Sequence, residues 1–198
     1  MFISLEGIDG CGKSTQARLL AEALRARGRE VVLTREPGGA PGAEAIRRLL
    51  VEGAPDRWSP ETEALLFTAA RRDHLERTVE PALARGATVV TDRFADSTRV
   101  YQGATRGDLR AFVDALHDLA IAREPDRTLV LDLDPAAAHA RAAGRGGAED
   151  RFEEFGLAFQ QALRTGFLRL AETAPARVRV VDAAGDADAV HARVMAAL

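Results

Sequence analysis

The chain has 198 residues, a formal net charge of −3, 46% hydrophobic and 29% charged residues. That suits one folded domain with its own core and gives no electrostatic reason to expect a nucleic-acid polymer as partner. Its one cysteine, Cys11, excludes an internal disulfide and a Cys-based metal site; no segment has the ~18 apolar residues of a membrane span, and Glu6 and Asp9 interrupt the only apolar run near the start, so no signal peptide or membrane contact is expected and a reducing cytoplasm fits best.

Short apolar runs alternate with longer helical patterns. Strands are expected at 2–6, 30–34, 88–91, 128–133 and 178–181, each near-continuously apolar, as parallel strands covered on both faces are. Helices are expected at 13–27, 42–52, 60–85, 107–122, 136–143, 152–173 and 187–197. Ser59-Pro60 with acids close behind reads as a helix start, and Gly28 and Gly86 read as helix stops. The β-α alternation predicts an α/β fold: a doubly wound, five-stranded parallel sheet flanked by helices, in a single domain over 1–198. Ligands in such sheets bind beyond the carboxyl ends of the strands, where every motif below falls.

The first motif is Gly7-Ile8-Asp9-Gly10-Cys11-Gly12-Lys13-Ser14-Thr15. It fits G-x-x-x-x-G-K-[ST], the loop whose backbone N–H groups cradle nucleotide phosphates, and it has the required setting between a strand and a helix. Lys13 is the only lysine in the chain. An ammonium kept at this one position, in a chain that uses arginine everywhere else, points to a local demand that a planar guanidinium does not meet. Lys13 is expected to reach the β- and γ-phosphates and the Ser14 hydroxyl to reach Mg²⁺, over the positive end of the following helix.

Thr34-Arg35-Glu36-Pro37-Gly38-Gly39 closes the second strand: two charges there suggest a substrate site, the alternative being a Pro-Gly turn with Arg35 and Glu36 as a solvated pair. On the long helix Phe67 and Arg71 are four apart and share a face, so an aromatic plane and a guanidinium could take a base by its face and edge; an ordinary core Phe is the alternative. Val89-Val90-Thr91-Asp92-Arg93 ends the third strand, with Asp92 placed to serve Mg²⁺, directly or through water, and Arg93 to grip a phosphate bidentately, unless the two simply pair with each other. Ser97-Thr98-Arg99-Val100-Tyr101-Gln102 offers hydroxyls and an amide, or else a polar loop on which Tyr101 packs. Arg141, Arg145 and Arg151 flank Gly144-Arg145-Gly146-Gly147, a stretch short enough to be a lid (about 141–152) whose arginines close over transferring phosphate, or else a basic disordered loop.

Taken together these stretches resemble the thymidylate kinase family, which phosphorylates dTMP to dTDP with ATP. The resemblance spans nearly the whole chain in order: Phe2 to Thr15, Thr34 to Gly39, Leu65 to His74, Asp92 to Gln102, then the arginine-rich stretch. It implies that residues 7–15 and Arg141 bind ATP and that Asp9 contacts the sugar 3′-hydroxyl or the metal-water shell. It implies that Phe67 stacks on thymine, Arg71 bonds its carbonyl edge, and Arg35 and Arg93 hold the dTMP phosphate beside Glu36, Pro37 and Ser97. Thr98 and Gln102 would line the base and sugar pocket, and Tyr101 would pack where a ribose 2′-hydroxyl would crowd. Gly10 stands where eukaryotic-type members have an arginine, so this looks like the bacterial type, with Arg145 and Arg151 joining Lys13, Asp9 and Arg93 in catalysis. Phe155 and Phe167 stand where such members often carry an acid and a Tyr. The resemblance also implies a homodimer through long helices, with 60–85 the candidate. The rivals are a kinase for another nucleoside monophosphate or a deoxynucleoside, and a non-catalytic nucleotide-binding module. A GTPase switch would need an Asn-Lys-x-Asp signature, and this chain has no asparagine.

Overall fold

The structure, a computed structural model, describes residues 1–54, 57–103, 109–142 and 156–198. Its sheet has five strands, all parallel: β1 (Phe2–Glu6), β2 (Val31–Arg35), β3 (Thr88–Asp92), β4 (Arg127–Asp132) and β5 (Val178–Asp182), in the order β2-β3-β1-β4-β5. From β1 the chain first runs to one side for β2 and β3, then crosses to the other for β4 and β5. The loop after β1 therefore sits at the topological switch point, where the crevice of a doubly wound sheet opens.

Successive residues on a strand point to opposite faces. Ile3, Leu5 and Val90 join one core with Leu20 of α1 (Lys13–Ala26), Leu163 and Phe167 of α8 (Gly156–Thr173) and Val194 of α9 (Ala187–Ala196). Phe2 and Val89 join the other with Phe94 and Val79, where Phe2 and Phe94 meet edge to face at 4.9 Å. Central β1 is buried throughout, but the edge strands β2 and β5 are only partly buried, leaving Leu33 and Val180 exposed. The expectation of cover on both faces thus holds inside the sheet and lapses at its edges, where one neighbour is missing.

Two helical expectations are refined. The stretch expected at 60–85 is α3 (Pro60–His74), a π turn (Leu75–Val79) and α4 (Glu80–Ala84), in unbroken succession. Pro81 follows the wide turn; it has no N–H, its ring crowds the carbonyl four residues back, and the widened turn relieves that contact. Ser59 caps α3 as expected, accepting from the Thr62 N–H at 3.2 Å. Of the expected helix 107–122, α6 (Arg110–Ala120) is seen, and a short helix not foreseen, α5 (Ala95–Tyr101), precedes it. The loop alternative for 97–102 is therefore wrong: α5 turns Asp96 and Arg99 inward, where they pair at 2.9 Å and are joined by Arg177 and Glu124. The remaining helices are α2 (Pro41–Val51) and α7 (Pro135–Ala142).

Leu20 is fully buried between α1 and the sheet. Leu20→Ala is expected to cost about 3 kcal/mol, the usual size for a truncation that leaves a cavity, read as a lower urea midpoint with an unchanged m-value.

Candidate active site

The glycine loop wraps around the start of α1. Gly7, Gly10 and Gly12 have φ of 135°, 81° and 100°, the left-handed range that side chains disfavour. At Gly10 there is also no room, since a Cβ would lie 2.1 Å from the Ala138 carbonyl oxygen of α7. Gly12 caps α1 without a side chain, so the first N–H groups of the helix stay open to an anion. Buried Lys13 folds back on its own loop, donating to the carbonyls of Gly7 at 3.0 Å and Ile8 at 2.8 Å, with Asp9 Oδ1 at 3.8 Å. Burial pushes the Cys11 thiol up despite that neighbouring charge, which makes it a passive filler and not a nucleophile.

Opposite the loop stands Arg93, with φ of 70° the only charged residue among the described ones in the left-handed region. A non-glycine residue held there stores on the order of 1–3 kcal/mol and needs an over-determined setting. Its backbone N–H donates to the Leu5 carbonyl at 2.9 Å. Its guanidinium pairs with Asp9, donates to Ser97 Oγ at 3.0 Å and to the Tyr101 hydroxyl at 3.2 Å, and lies over the Tyr101 ring at 5.0 Å. Ser97 in turn donates to Glu6 at 2.6 Å, and Glu6 also accepts the Phe94 N–H at 2.7 Å. Arg93 is thus paired with Asp9 and not with Asp92. Burial pushes Asp9 up, but Arg93, Lys13 and the Tyr101 hydroxyl at 2.9 Å outweigh it and hold its carboxyl below the usual range. Burial likewise keeps the Tyr101 phenol neutral, well above its ordinary value. Tyr101 packs edge-on against Phe159 and Phe167 of α8, with centroids 6.2 and 6.4 Å away.

Asp92 accepts from Ser14 Oγ at 2.5 Å through Oδ2, while its Oδ1 is buried with no hydrogen-bond partner among the described residues. An orphaned carboxylate oxygen beside a hydroxyl is a fitting donor set for Mg²⁺, which takes few protein ligands and completes its shell with phosphate and water. Among the described residues no group of three or more His, Cys, Asp or Glu is placed to hold a metal ion.

The second half of the cleft is built on α3. Phe67 is half-buried and belongs to none of the described core clusters, so the core alternative fails for it. Arg71 is buried; its Nε donates to Glu36 Oε2 at 2.8 Å, its Nη2 to Thr98 Oγ1 at 3.0 Å, and it lies over the Phe94 ring at 5.2 Å. Glu36 is therefore not a solvated partner of Arg35: it is buried, with one oxygen on Arg71 and the other on His74 Nδ1 at 2.9 Å. Arg35 is exposed and paired with Glu44 on α2 at 3.2 Å. The Pro37 carbonyl accepts from Arg47 at 2.7 Å. Gln102 is buried, its amide turned to Glu63 of α3 at 3.4 Å, so it supports the cleft wall from behind. Arg141 reaches the Ala183 and Gly185 carbonyls at 3.1 and 2.9 Å, beside the α1 start, where Gln16 holds the Ala187 carbonyl at 2.8 Å. Arg145, Arg151 and Phe155 lie outside the described residues.

Two residues with clear roles here carried no sequence expectation. Glu6 ends an apolar strand with a charge, immediately before the glycine loop. His74 is three residues past Arg71, on the same helix face. Each signal is visible in the chain, but it becomes legible only with its partner from another strand.

A family model described as thymidylate kinase matches residues 5–194. The chain is 66% identical over 194 residues to a thymidylate kinase of Ruegeria pomeroyi, covering 98% of this chain and 92% of that one. It is 72% identical over 180 residues to one of Dinoroseobacter shibae, covering 91% and 87%. Its fold matches the crystal structure of thymidylate kinase from Ehrlichia chaffeensis with a TM-score of 0.77 at 36% identity, over 99% of this chain and 97% of that chain.

Glu6 gives the site a pH signature. Burial, with Asp96 nearby, raises its carboxyl from 4.5 to about 8 against the pull of Ser97, Arg93 and the Phe94 N–H. The native state then holds a proton that the unfolded chain releases. No penalty exists below the unfolded value; stability falls as pH rises from it toward the native one, by at most about 1.4 kcal/mol per pH unit. Glu6→Gln mimics the protonated form, so urea unfolding from about pH 5 to about pH 8 should show the wild type losing stability relative to the variant. Parallel curves for the two would remove the buried-acid assignment.

Proposed function

Because the chain belongs to the thymidylate kinase family, we propose that it transfers the γ-phosphoryl group of ATP to the 5′-phosphate of dTMP, giving dTDP and ADP, in the cleft between the glycine loop and α3. The observation that carries this reading is the meeting of three parts: an open helix N-terminus with Lys13, a guanidinium held between Asp9 and Tyr101, and a half-buried aromatic beside Arg71. We take residues 1–198 as one kinase domain, in the cytoplasm, where both nucleotides are held.

The acceptor is a phosphate and already anionic, so the protein has little proton chemistry to do; positioning and charge neutralisation carry the rate. Residues 7–15 bind the donor phosphates. Lys13 exchanges its contacts with the Gly7 and Ile8 carbonyls for the β- and γ-phosphates, and the exposed Arg141 meets the donor nucleoside. Arg93 grips the acceptor phosphate, and Asp9 holds Arg93 and the sugar end. Phe67 stacks on the base and Arg71 bonds its edge, with Thr98 beneath; Tyr101 closes the space under the deoxyribose. Arg35 reaches the acceptor only by leaving Glu44, so its part is secondary. Ser14 and Asp92 would hold Mg²⁺, which when bound would neutralise charge on the donor phosphates. Arg145 and Arg151 act as lid arginines at the transferring group.

An ADP-release assay across dTMP, dUMP, dCMP, AMP and GMP is expected to give the highest kcat/KM for dTMP; any other order would sink the Phe67 and Arg71 assignments. Lys13→Ala and Arg93→Ala should each lower turnover on the order of 10³-fold with the circular dichroism unchanged. Turnover within tenfold of wild type would overturn their roles.

The functional unit is a homodimer. Supporting this, Leu49 on α2, Leu65 on α3, and Phe112 and Leu119 on α6 are exposed on helices that pack together, α3 against both α2 and α6. Light scattering on a sizing column should give twice the 21.2 kDa of one chain. Leu65→Glu, a charge on the apolar face, should give a monomer, and an unchanged mass would move the interface elsewhere.

A further inference from the structure

Behind Arg71 runs a row of polar side chains that the transfer itself does not use. Thr34 Oγ1 and His74 Nε2 are 2.8 Å apart, His74 Nδ1 is 2.9 Å from Glu36 Oε1, and Glu36 Oε2 accepts Arg71 Nε at 2.8 Å. His74 is fully buried, and Glu36 and Arg71 nearly so. The protons in this row have one consistent order. A carboxylate paired with a guanidinium offers only acceptors, so His74 Nδ1 donates to Glu36, and Nε2 is left facing the Thr34 hydroxyl. There is no slack: a Cβ on Gly39 would lie 2.4 Å from Thr34 Oγ1 and 2.6 Å from His74 Nε2.

The row ends on the plane of one guanidinium. Arg71 spends Nε on Glu36 and Nη2 on Thr98, with the Phe94 ring across its face, leaving Nη1 without a hydrogen bond among the described residues. Those contacts come from the β2 end, α5 and the β3–α5 turn, so the plane is fixed from three directions. Glu36 can hold its share only if its other oxygen is kept by His74.

We propose that His74 is a positioning residue of the acceptor site: with Thr34 and Glu36 it sets the plane of Arg71, and so the direction in which Nη1 meets the acceptor's base. This rests on the reading of Arg71 and Phe67 as the base-contacting pair.

The test uses two substitutions that keep different nitrogens. His74→Asn retains an amide nitrogen near the Nδ1 position, facing Glu36. His74→Gln places its amide nearer Nε2 and leaves Glu36 Oε1 without a donor. Steady-state kinetics should give His74→Gln a KM for dTMP raised about tenfold with the KM for ATP unchanged, and His74→Asn a KM for dTMP within about threefold of wild type. Equal rises in both KM values, as loosening of the whole fold would give, or an unmoved KM for dTMP, would overturn the proposal. Should His74→Gln fail to fold, the near-isosteric Thr34→Val carries the same comparison. Removing the hydroxyl that orders Nε2 should raise the KM for dTMP at least about threefold and spare ATP, and no rise refutes the row. Failure of the wild type to prefer dTMP would be seen first, in the acceptor panel, and would remove the premise and the proposal together.

Discussion

The Arg93 guanidinium joins pieces of chain that local sequence does not connect: Asp9 of the glycine loop, Ser97 and Tyr101 of α5 and, through Ser97, the buried Glu6 of β1. Its left-handed backbone is tolerable because parallel strands already hold it on both sides. The Arg93 N–H reaches Leu5 and the Asp92 carbonyl takes the Glu36 N–H, each at 2.9 Å, so the ends of β1, β2 and β3 are tied at one level. Moving this side chain would release Asp9 from the loop that holds Lys13, uncover Tyr101, and leave the Ser97–Glu6 pair without its outer neighbour. Donor and acceptor halves of the cleft thus share a single anchoring charge.

The acceptor half repeats the plan. Arg71 is to Glu36 what Arg93 is to Asp9: a guanidinium held by a carboxylate, lying over an aromatic ring, with part of its edge unspent. A buried carboxylate or guanidinium is costly to leave unpaired, whereas a paired one loses little and gains direction. Each carboxylate is also restrained from behind, Asp9 by Tyr101 and Glu36 by His74. The site therefore offers an incoming nucleotide charges whose geometry is settled before it binds, which limits the ordering cost of binding and favours specificity over bulk attraction.

Much of this was legible in the sequence, for identifiable reasons. The five strands and the glycine loop announce themselves through apolar runs and a motif whose residue types follow from phosphate geometry. Local chemistry also marked Ser14, Asp92, Phe67 and Arg71. What stayed hidden depends on pairing at long range. α5 reads as a polar loop because Asp96 and Arg99 sit on its buried side, and their partners Arg177 and Glu124 lie far along the chain. Arg35 and Glu36 are adjacent in sequence yet part company at the end of β2, the first exposed and reaching Glu44 on α2, the second buried against Arg71 and His74 on α3. Gln102, polar and next to Tyr101, turned out to brace the wall from behind. A residue type can suggest what it will bond, but only the register of distant strands says which neighbour is there.

The single lysine gains a physical explanation from this contrast. Lys13 bonds the curved backbone of its own loop, and its three rotating donors on a flexible stem can exchange one set of acceptors for another. Arg71 and Arg93 do the opposite. Each presents a fixed edge while its other edges are bound, which a planar fork does and an ammonium cannot. At Gly10 neither fits: a Cβ there would collide with the Ala138 carbonyl of α7, so that turn of the loop presents backbone alone.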